Sequence, residues 1–169
     1  MSIHRALTIL RKTGMRAGEV RALTIGDVAL VAGREALHVR DAKNRSERMV
    51  VLGPAATPKS LRGLRALLRE RKSEPSHAPL FRSNRGTRLS YDALHYQWAQ
   101  GCAAVGLADD AGKPRYTLHQ LRHTRATELV EQGQRLEIVQ RVLGHHDPRS
   151  TQGYAELNEA LVRAALEQP

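Results

Sequence analysis

Six side chains that can act on a phosphodiester stand in four short segments of the sequence: Arg16, Lys43, His119, Arg122, His145 and Tyr154. The first segment, residues 13–19, reads Thr-Gly-Met-Arg-Ala-Gly-Glu, and the second is a polar stretch that begins at the lysine. The third, residues 119–123, reads His-Gln-Leu-Arg-His. The fourth is Leu-Gly-His at residues 143–145, and the tyrosine follows the histidine by nine positions.

These residue types meet the requirements for breaking a nucleic-acid strand while conserving the energy of the broken bond. A tyrosine phenol can attack phosphorus and hold it as a reversible aryl phosphodiester. Two guanidiniums can clamp the nonbridging oxygens, on which charge develops in the transition state. A lysine on a turn can protonate the leaving 5′ oxygen, and imidazoles can donate hydrogen bonds or carry the phenol's proton. We therefore predict a catalytic set that needs no metal ion, nucleotide or other cofactor.

The histidines also permit a metal site, which we weighed against this prediction. His119 and His123 are four positions apart, as two ligands on one helix face would be. However, Gln120 stands where a zinc hydrolase of the His-Glu-x-x-His type has its general base. Residues 145–147, His-His-Asp, form a second possible ligand cluster. We predict that the second histidine of each group is structural or faces DNA, and that neither group holds a metal.

Tyr154 competes with three other tyrosines for the role of nucleophile. Tyr91 and Tyr96 share a predicted helix with Trp98, and we expect them to pack. Tyr116 shortly precedes the third segment, and we expect it to help shape the pocket. Only Tyr154 has a Leu-Gly-His triplet upstream, and we predict that it is the nucleophile. Glu19, three positions after the first arginine, is predicted to brace that arginine by an ion pair.

The elements that must position these residues are mostly helices. Apolar periodicity predicts helices over 3–12, 17–23, 60–71, 118–131, 136–143 and 156–168, and one more with Ser90 as its N-cap. Three short runs with strand character lie at 28–31, 36–39 and 48–52, with turns at Gly33 and residues 43–47. The predicted fold class is α+β, mainly α-helical, with a small three-stranded antiparallel sheet at one edge of the helical body.

The bulk composition favours one globular domain that meets a polyanion. The chain has 169 residues, of which 27 are Lys or Arg and 17 are Asp or Glu, for a formal charge of +10. A compact basic domain of this kind most often binds nucleic acid. Cys102 is the only cysteine, so no intramolecular disulfide is possible. No stretch has the roughly 20 apolar residues of a membrane span, and a cytoplasmic protein is the simplest interpretation.

The four segments resemble the motifs of the tyrosine recombinase, or phage integrase, family over residues 10–154. Residues 13–19 resemble the family's first arginine box, and Lys43 followed by Glu-Arg-Met-Val-Val-Leu at 47–52 is similar to its β-hairpin lysine segment. Residues 119–122 resemble the His-x-x-Arg box, and 143–145 the Leu-Gly-His box. There are two departures, Ala42 where glycine is frequent and Val51 where proline is common.

The resemblance implies a function and an assembly. It implies that all six residues are catalytic and that the chain cleaves and rejoins duplex DNA through a 3′-phosphotyrosine, without metal or ATP. It also implies a homotetramer on paired DNA sites, in which the C-terminal helix docks on a neighbouring protomer; packing of that helix on its own domain stays open as the alternative. The family's N-terminal core-binding domain is expected to be absent, so residues 1–169 are one catalytic domain, either a fragment or a small natural protein.

Two other functions stay open at this point. A type IB topoisomerase-like enzyme shares nearly the same catalytic set but relaxes DNA without recombining it. A noncatalytic DNA-binding module would keep the basic surface and form no covalent adduct. Integration, excision, resolution and inversion also stay open as the biological task.

Overall fold

The computed structural model describes residues 2–41, 46–52 and 58–144 of the chain. Within them it contains six α-helices and three β-strands: α1 Ser2–Thr13, α2 Ala17–Ala22, β1 Val28–Ala29, β2 Ala36–Asp41, β3 Ser46–Val51, α3 Pro58–Glu70, α4 Tyr91–Ala104, α5 Leu118–Glu131 and α6 Leu136–Leu143. A short 3-10 turn, Ile25–Asp27, leads from α2 into the sheet. The predicted class, mainly helical with one small antiparallel sheet, is confirmed.

The sheet has the strand order β1-β2-β3, and both pairings are antiparallel. Leu37 pairs with Val50 across β2 and β3, and both side chains are buried. Met49 and Val51, which alternate with Val50 along β3, are exposed. One face of the sheet therefore packs on the helical body, as the alternation of a half-buried antiparallel sheet requires.

Helix α1 lies at the centre of the helical body and packs against α3, α4 and α5. Ala6, Ile9 and Leu10 of α1 are buried in the main core. Helix α3 contributes a face of leucines, of which Leu61 and Leu64 are buried. Aliphatic side chains fill most of this core, since only 4% of the residues in the sequence are aromatic.

A second, smaller cluster joins α5 to α6. Its buried members are Ala126, Leu129 and Val130 of α5 with Val139 and Leu143 of α6. The cluster fixes the C-terminal end of α6 against α5. The predicted bounds of these two helices, 118–131 and 136–143, are confirmed.

Helix α4 begins as predicted and differs from the prediction in its aromatic residues. The hydroxyl of Ser90 accepts a hydrogen bond from the Ala93 N–H at 3.0 Å, which confirms Ser90 as the N-cap. The expectation that Tyr91 and Tyr96 pack was wrong, because they are 47% and 66% exposed. The inward stripe of α4 runs through Leu94 and its i+4 neighbours, so Tyr96 points away from it and Tyr91 lies in the first, solvent-facing turn.

The predicted helix at 156–168 lies outside the described residues. Among the helices that are described, none is both long and apolar enough to cross a membrane.

Candidate active site

The loop that carries Arg16 connects α1 to α2 through a sharp turn at Gly14. Gly14 has φ +68°, and a Cβ there would lie 2.7 Å from a methyl group of Leu143. Both the left-handed backbone and the close approach therefore require glycine. Arg16 has an extended backbone (φ −70°, ψ 147°) as the N-cap of α2, and its side chain is partly exposed at the surface. The predicted glycine turn beside this arginine is confirmed.

Glu19 is the buried anion of the site, with a side chain only 8% exposed. It accepts hydrogen bonds from the backbone N–H of Arg16 at 2.7 Å and from Arg16 Nη1 at 3.2 Å, which confirms the predicted ion pair. It also accepts two hydrogen bonds from Arg48, at 2.8 and 2.9 Å. Burial alone raises the pKa of Glu19, but the hydrogen bonds from Arg48 and Arg16 outweigh burial and lower it.

The partnership of Arg48 with Glu19 was missed in the sequence. One signal for it exists, because residues 48, 50 and 52 alternate with exposed positions and face inward. An arginine at an inward strand position needs a buried acceptor or anion. The sequence supplies no means of identifying Glu19, 29 positions away, as that anion.

Helix α5 brings His119 and Arg122 to the site from a well-capped first turn. The Thr117 hydroxyl accepts a hydrogen bond from the Gln120 N–H, and the Gln120 side-chain oxygen accepts one from the Thr117 N–H. This reciprocal capping box satisfies two backbone donors that the helix start would otherwise leave unpaired. It fixes the direction in which the helix leaves the preceding loop.

Arg122 is buried, with 4% of its surface exposed. Its Nη1 donates to the Gly14 carbonyl and its Nη2 to the Leu143 carbonyl, each at 2.7 Å. One guanidinium thus joins the loop before Arg16 to the last residue of α6. A guanidinium has five N–H donors in a planar fork, which allows one side chain to hold both carbonyls at once.

His119 is exposed, and its ring meets the edge of the His123 ring with centroids 4.9 Å apart. Partial desolvation lowers the pKa of His119, and the positive charges of His123, Arg122 and Arg16 lower it further. These charges act on the imidazole because α5 and the Arg16 loop meet at this point. Arg16, His119 and Arg122, drawn from two distant segments, therefore share one electropositive neighbourhood.

The other three predicted site residues, Lys43, His145 and Tyr154, lie outside the described residues. For two of them, the neighbouring residues in the sequence are described. Strand β2 ends at Asp41 and β3 begins at Ser46, so Lys43 belongs to the connection between paired strands. Helix α6 ends at Leu143 and is capped by Gly144, which has φ +67° and immediately precedes His145.

Tyr116 was expected to help shape the pocket, and this stays a prediction. Its side chain is exposed, and its backbone carbonyl accepts a hydrogen bond from Trp98 Nε1 at 2.6 Å. The contact ties the loop before α5 to α4.

Comparison with known proteins places this arrangement in a family. The model of the phage integrase family matches residues 1–160. The tyrosine recombinase XerC of Haemophilus ducreyi is 33% identical over 153 residues, which are 90% of this chain and 46% of that protein. The tyrosine recombinase XerD of Halalkalibacterium halodurans is 33% identical over 158 residues, 93% of this chain and 50% of that protein.

A solved structure extends the likeness to the fold. The XerH site-specific recombinase, in a post-cleavage complex with its palindromic difH substrate, superposes with a TM-score of 0.75 at 26% identity. The match covers 97% of this chain and 44% of that one. The chain spans about half the length of the curated relatives it matches. By sequence and by fold, it belongs to the phage integrase family of tyrosine recombinases.

Proposed function

We propose that this chain is the catalytic domain, over residues 1–169, of a site-specific recombinase that cleaves and rejoins duplex DNA. The observation that carries the proposal is the meeting of Arg16, His119 and Arg122 in one electropositive neighbourhood. An arrangement of two guanidiniums beside an imidazole suits a phosphate whose nonbridging oxygens gain charge during the reaction. The named relatives, which are tyrosine recombinases, support the same activity.

In the proposed mechanism Arg16 and Arg122 hold the scissile phosphate, assisted by His119 and His145. The phenol oxygen of Tyr154 attacks phosphorus and forms a 3′-phosphotyrosine while the bond from phosphorus to the 5′ oxygen breaks. Lys43 gives its proton to that oxygen, and an imidazole takes the proton of the phenol. A 5′ hydroxyl from a partner strand then reverses these steps. We infer no metal ion, nucleotide or other cofactor, because the phosphotyrosine conserves the bond energy.

The partner we propose is double-stranded DNA, met in the cytoplasm of a bacterial or phage host. The net charge of +10 supports this partner, and the XerH structure is one of a recombinase bound to its DNA substrate. We propose no nucleotide and no membrane as partners.

A covalent-capture experiment tests the chemistry. The chain is incubated with a pool of nicked duplexes of random sequence, and adducts that survive denaturation are collected. We expect adducts from the wild type and from Tyr96→Phe, the control at an exposed tyrosine of α4, and none from Tyr154→Phe, which retains DNA affinity. Adducts from Tyr154→Phe at the wild-type level would overturn the assignment of the nucleophile. A wild type that binds DNA without forming adducts would contradict catalysis and favour a DNA-binding module.

A relaxation assay separates recombination from topoisomerase-like activity. The wild type is given supercoiled plasmids that carry one or two copies of the sequence recovered from the adducts. We expect recombinant products from the two-site plasmid. Relaxation of both plasmids without recombinant products would identify a topoisomerase-like enzyme instead.

We further propose that the chain works as a homotetramer on paired DNA sites, through its C-terminal segment. Support comes from a cleft of about 220 Å³ beside β3 and α6, where Met49 and Ile138 offer exposed apolar surface. Lys12, Arg125 and Arg141 surround it with positive charge. In sequence, residues 156–168 combine a leucine stripe with three glutamates, which complements both properties.

The assembly is tested by placing a charge in this cleft. Met49→Glu is compared with Val31→Glu, because both side chains are exposed, at 54% and 64%, and only Met49 lines the cleft. We expect Met49→Glu to lose the tetramer on two-site DNA, measured by light scattering, while Val31→Glu keeps it. A tetramer that survives Met49→Glu would show that the C-terminal segment docks elsewhere or not at all.

A further inference from the structure

We propose that Arg48 is a positioning residue, which holds β3, the strand that follows Lys43 in the sequence, against the Arg16 loop and the C-terminal end of α6. The proposal rests on the proposed function, in which Lys43 is the general acid. It gives Arg48 a task beyond stabilising the fold, namely to place the acid at the leaving oxygen.

The first observation is the ion pair that Arg48 makes with Glu19. Arg48 is the third residue of β3 and pairs with Val39 in the register of the hairpin. Its Nη1 and Nη2 donate to the two oxygens of Glu19 at 2.8 and 2.9 Å. The same carboxylate holds the backbone and side chain of Arg16. A single buried anion therefore links the hairpin to the arginine loop.

The second observation is the contact between Arg48 and Gly144. A Cβ on Gly144 would lie 2.5 Å from Nε and 2.7 Å from Cζ of Arg48. The guanidinium therefore lies across the backbone of the residue that precedes His145. Nε is buried and has no hydrogen-bond partner among the described residues, so hydrogen bonding does not account for the placement of this part of the side chain.

The third observation is that Arg48 and Arg122 hold the same two segments at neighbouring points. Arg122 joins Gly14 to Leu143 through their carbonyls. Arg48 joins Glu19 to Gly144, the residue that follows Leu143 and caps α6. Arg122 ties these segments to α5, and Arg48 ties them to β3. Strand β3 is thus held against the same two segments that Arg122 holds.

The consequence for the reaction follows from the short span between Arg48 and the turn. The connection that contains Lys43 ends at Ser46, two residues before Arg48. If the fork to Glu19 is lost, β3 is no longer tied through Glu19 to the Arg16 loop, and the strand that follows Lys43 can shift relative to the phosphate-binding arginines. Lysine cannot replace arginine here, because one ammonium group cannot bond both carboxylate oxygens in a planar fork.

The test distinguishes loss of general-acid catalysis from loss of any other step in cleavage. Cleavage is compared on two duplexes that carry the captured sequence, one with an ordinary phosphodiester and one with sulfur in place of the bridging 5′ oxygen. In both, the bond from Tyr154 to phosphorus forms and the bond to the 5′ atom breaks. Oxygen needs the proton of Lys43 to leave, whereas sulfur leaves as a thiolate, because thiols have a pKa of about 8.5.

We expect Arg48→Lys and Arg48→Met to slow cleavage of the ordinary substrate on the order of tenfold or more, and to slow the sulfur substrate much less. Arg65→Met is the matched control, because Arg65 also pairs with a buried glutamate, Glu35, at 3.1 Å. It should lower the melting temperature, because it also removes an ion pair to a buried carboxylate, and leave the ratio of the two cleavage rates unchanged.

Equal slowing of both substrates by Arg48→Lys, or none, would overturn the positioning role. A fold defect alone would produce equal slowing, because a smaller folded fraction reduces both rates in proportion. A wild type that cleaves neither substrate would contradict the proposed function itself. Failure of the broader proposal is thereby distinguished from failure of this one.

Discussion

The charge state of His119 is set by its neighbours. Desolvation and the charges of His123, Arg122 and Arg16 lower the pKa of His119 from its ordinary value of 6.5, so the neutral ring is favoured more strongly than in an unperturbed histidine. A neutral imidazole can accept the proton of a phenol, which an imidazolium cannot. The arginines that hold the phosphate in our mechanism thus add to desolvation and His123 in favouring the neutral imidazole that can act as a base.

We expect Arg16→Gln to raise the pKa of His119 partway towards 6.5, because it removes one positive charge and leaves the desolvation in place. The measurement is an NMR titration of the imidazole Cε1–H signals. Arg69→Gln is the control, since it removes an arginine of α3 that does not contribute to the shift. An unchanged or lowered pKa in Arg16→Gln would show that the two side chains do not meet.

The same shift makes the free energy of unfolding depend on pH. The folded chain binds the His119 proton less tightly than the unfolded chain does. Between the folded pKa and 6.5 the unfolded state therefore holds more protons, and the free energy of unfolding increases with pH. The contribution is complete above pH 6.5 and is lost as the pH falls through the lower, folded pKa.

Gly14 is a residue at which one methyl group should disturb the site. Gly14→Ala forces alanine into a left-handed backbone and drives its Cβ towards Leu143. We expect a loss of about 2 kcal/mol or more in the free energy of unfolding. Gly33→Ala, with φ +76° and open space around the Cβ position, should lose only about 1 kcal/mol. Chemical denaturation of both variants measures the difference, and equal losses would mean that Leu143 moves aside at no cost.

At the scale of elements, the sequence predicted what depends on neighbours within one helix. The bounds of α5 and α6 follow from their local apolar spacing, and they are confirmed. Strand β1 was predicted over 28–31 but ends at Ala29. Its length is set by its partner, since Ala29 pairs with Ala36, the first residue of β2. The strand preferences of residues 28–31 alone therefore cannot predict where β1 ends.

The candidate site divides in the same way. Residue types and spacing identified Arg16, His119 and Arg122, which the fold brings together. The burial of Arg122 and its bonds to the Gly14 and Leu143 carbonyls depend on how α5 packs beside two other segments. Such contacts join residues 108 and 21 positions apart, and periodicity within one element cannot predict them.

The N-cap of α5 gives a prediction for this element, because the helix carries two site residues. Thr117→Ala removes the hydroxyl that accepts from the Gln120 N–H, and we expect it to lower the free energy of unfolding by about 1 kcal/mol. Thr117→Ser keeps the oxygen and should stay close to the wild type. Urea denaturation of both variants measures the effect. Equal stability of the two would show that the Gln120 side chain alone caps the helix.

At the scale of the whole molecule, not every arginine is equally available to bind DNA. Many arginines are committed to internal ion pairs, such as Arg5 with Glu70 and Arg11 with Glu128. The net charge of +10 is what remains after such pairs. Binding of DNA should therefore depend on which arginines face it as well as on the total charge.

The salt dependence of DNA affinity reports how many charged side chains contact phosphates. Each phosphate contact contributes about −0.9 to the slope of log affinity against log salt, so a domain with about four contacts loses about a hundredfold in affinity between about 50 and 200 mM salt. We expect Arg16→Gln to make the slope shallower by about 1, measured by fluorescence anisotropy on a duplex of random sequence. The reason is that Arg16 faces the phosphate in the proposed site.

The matched comparison is Arg69→Gln, which removes the same charge at the other end of the helical body. Arg69 precedes Glu70, which pairs with Arg5 near the start of α1, about 15 Å along that helix from the Arg16 loop. The slope of log affinity against log salt for Arg69→Gln should equal that of the wild type. If both variants shift the slope equally, net charge rather than the Arg16 surface governs binding, and the proposed DNA-facing side of the domain is wrong.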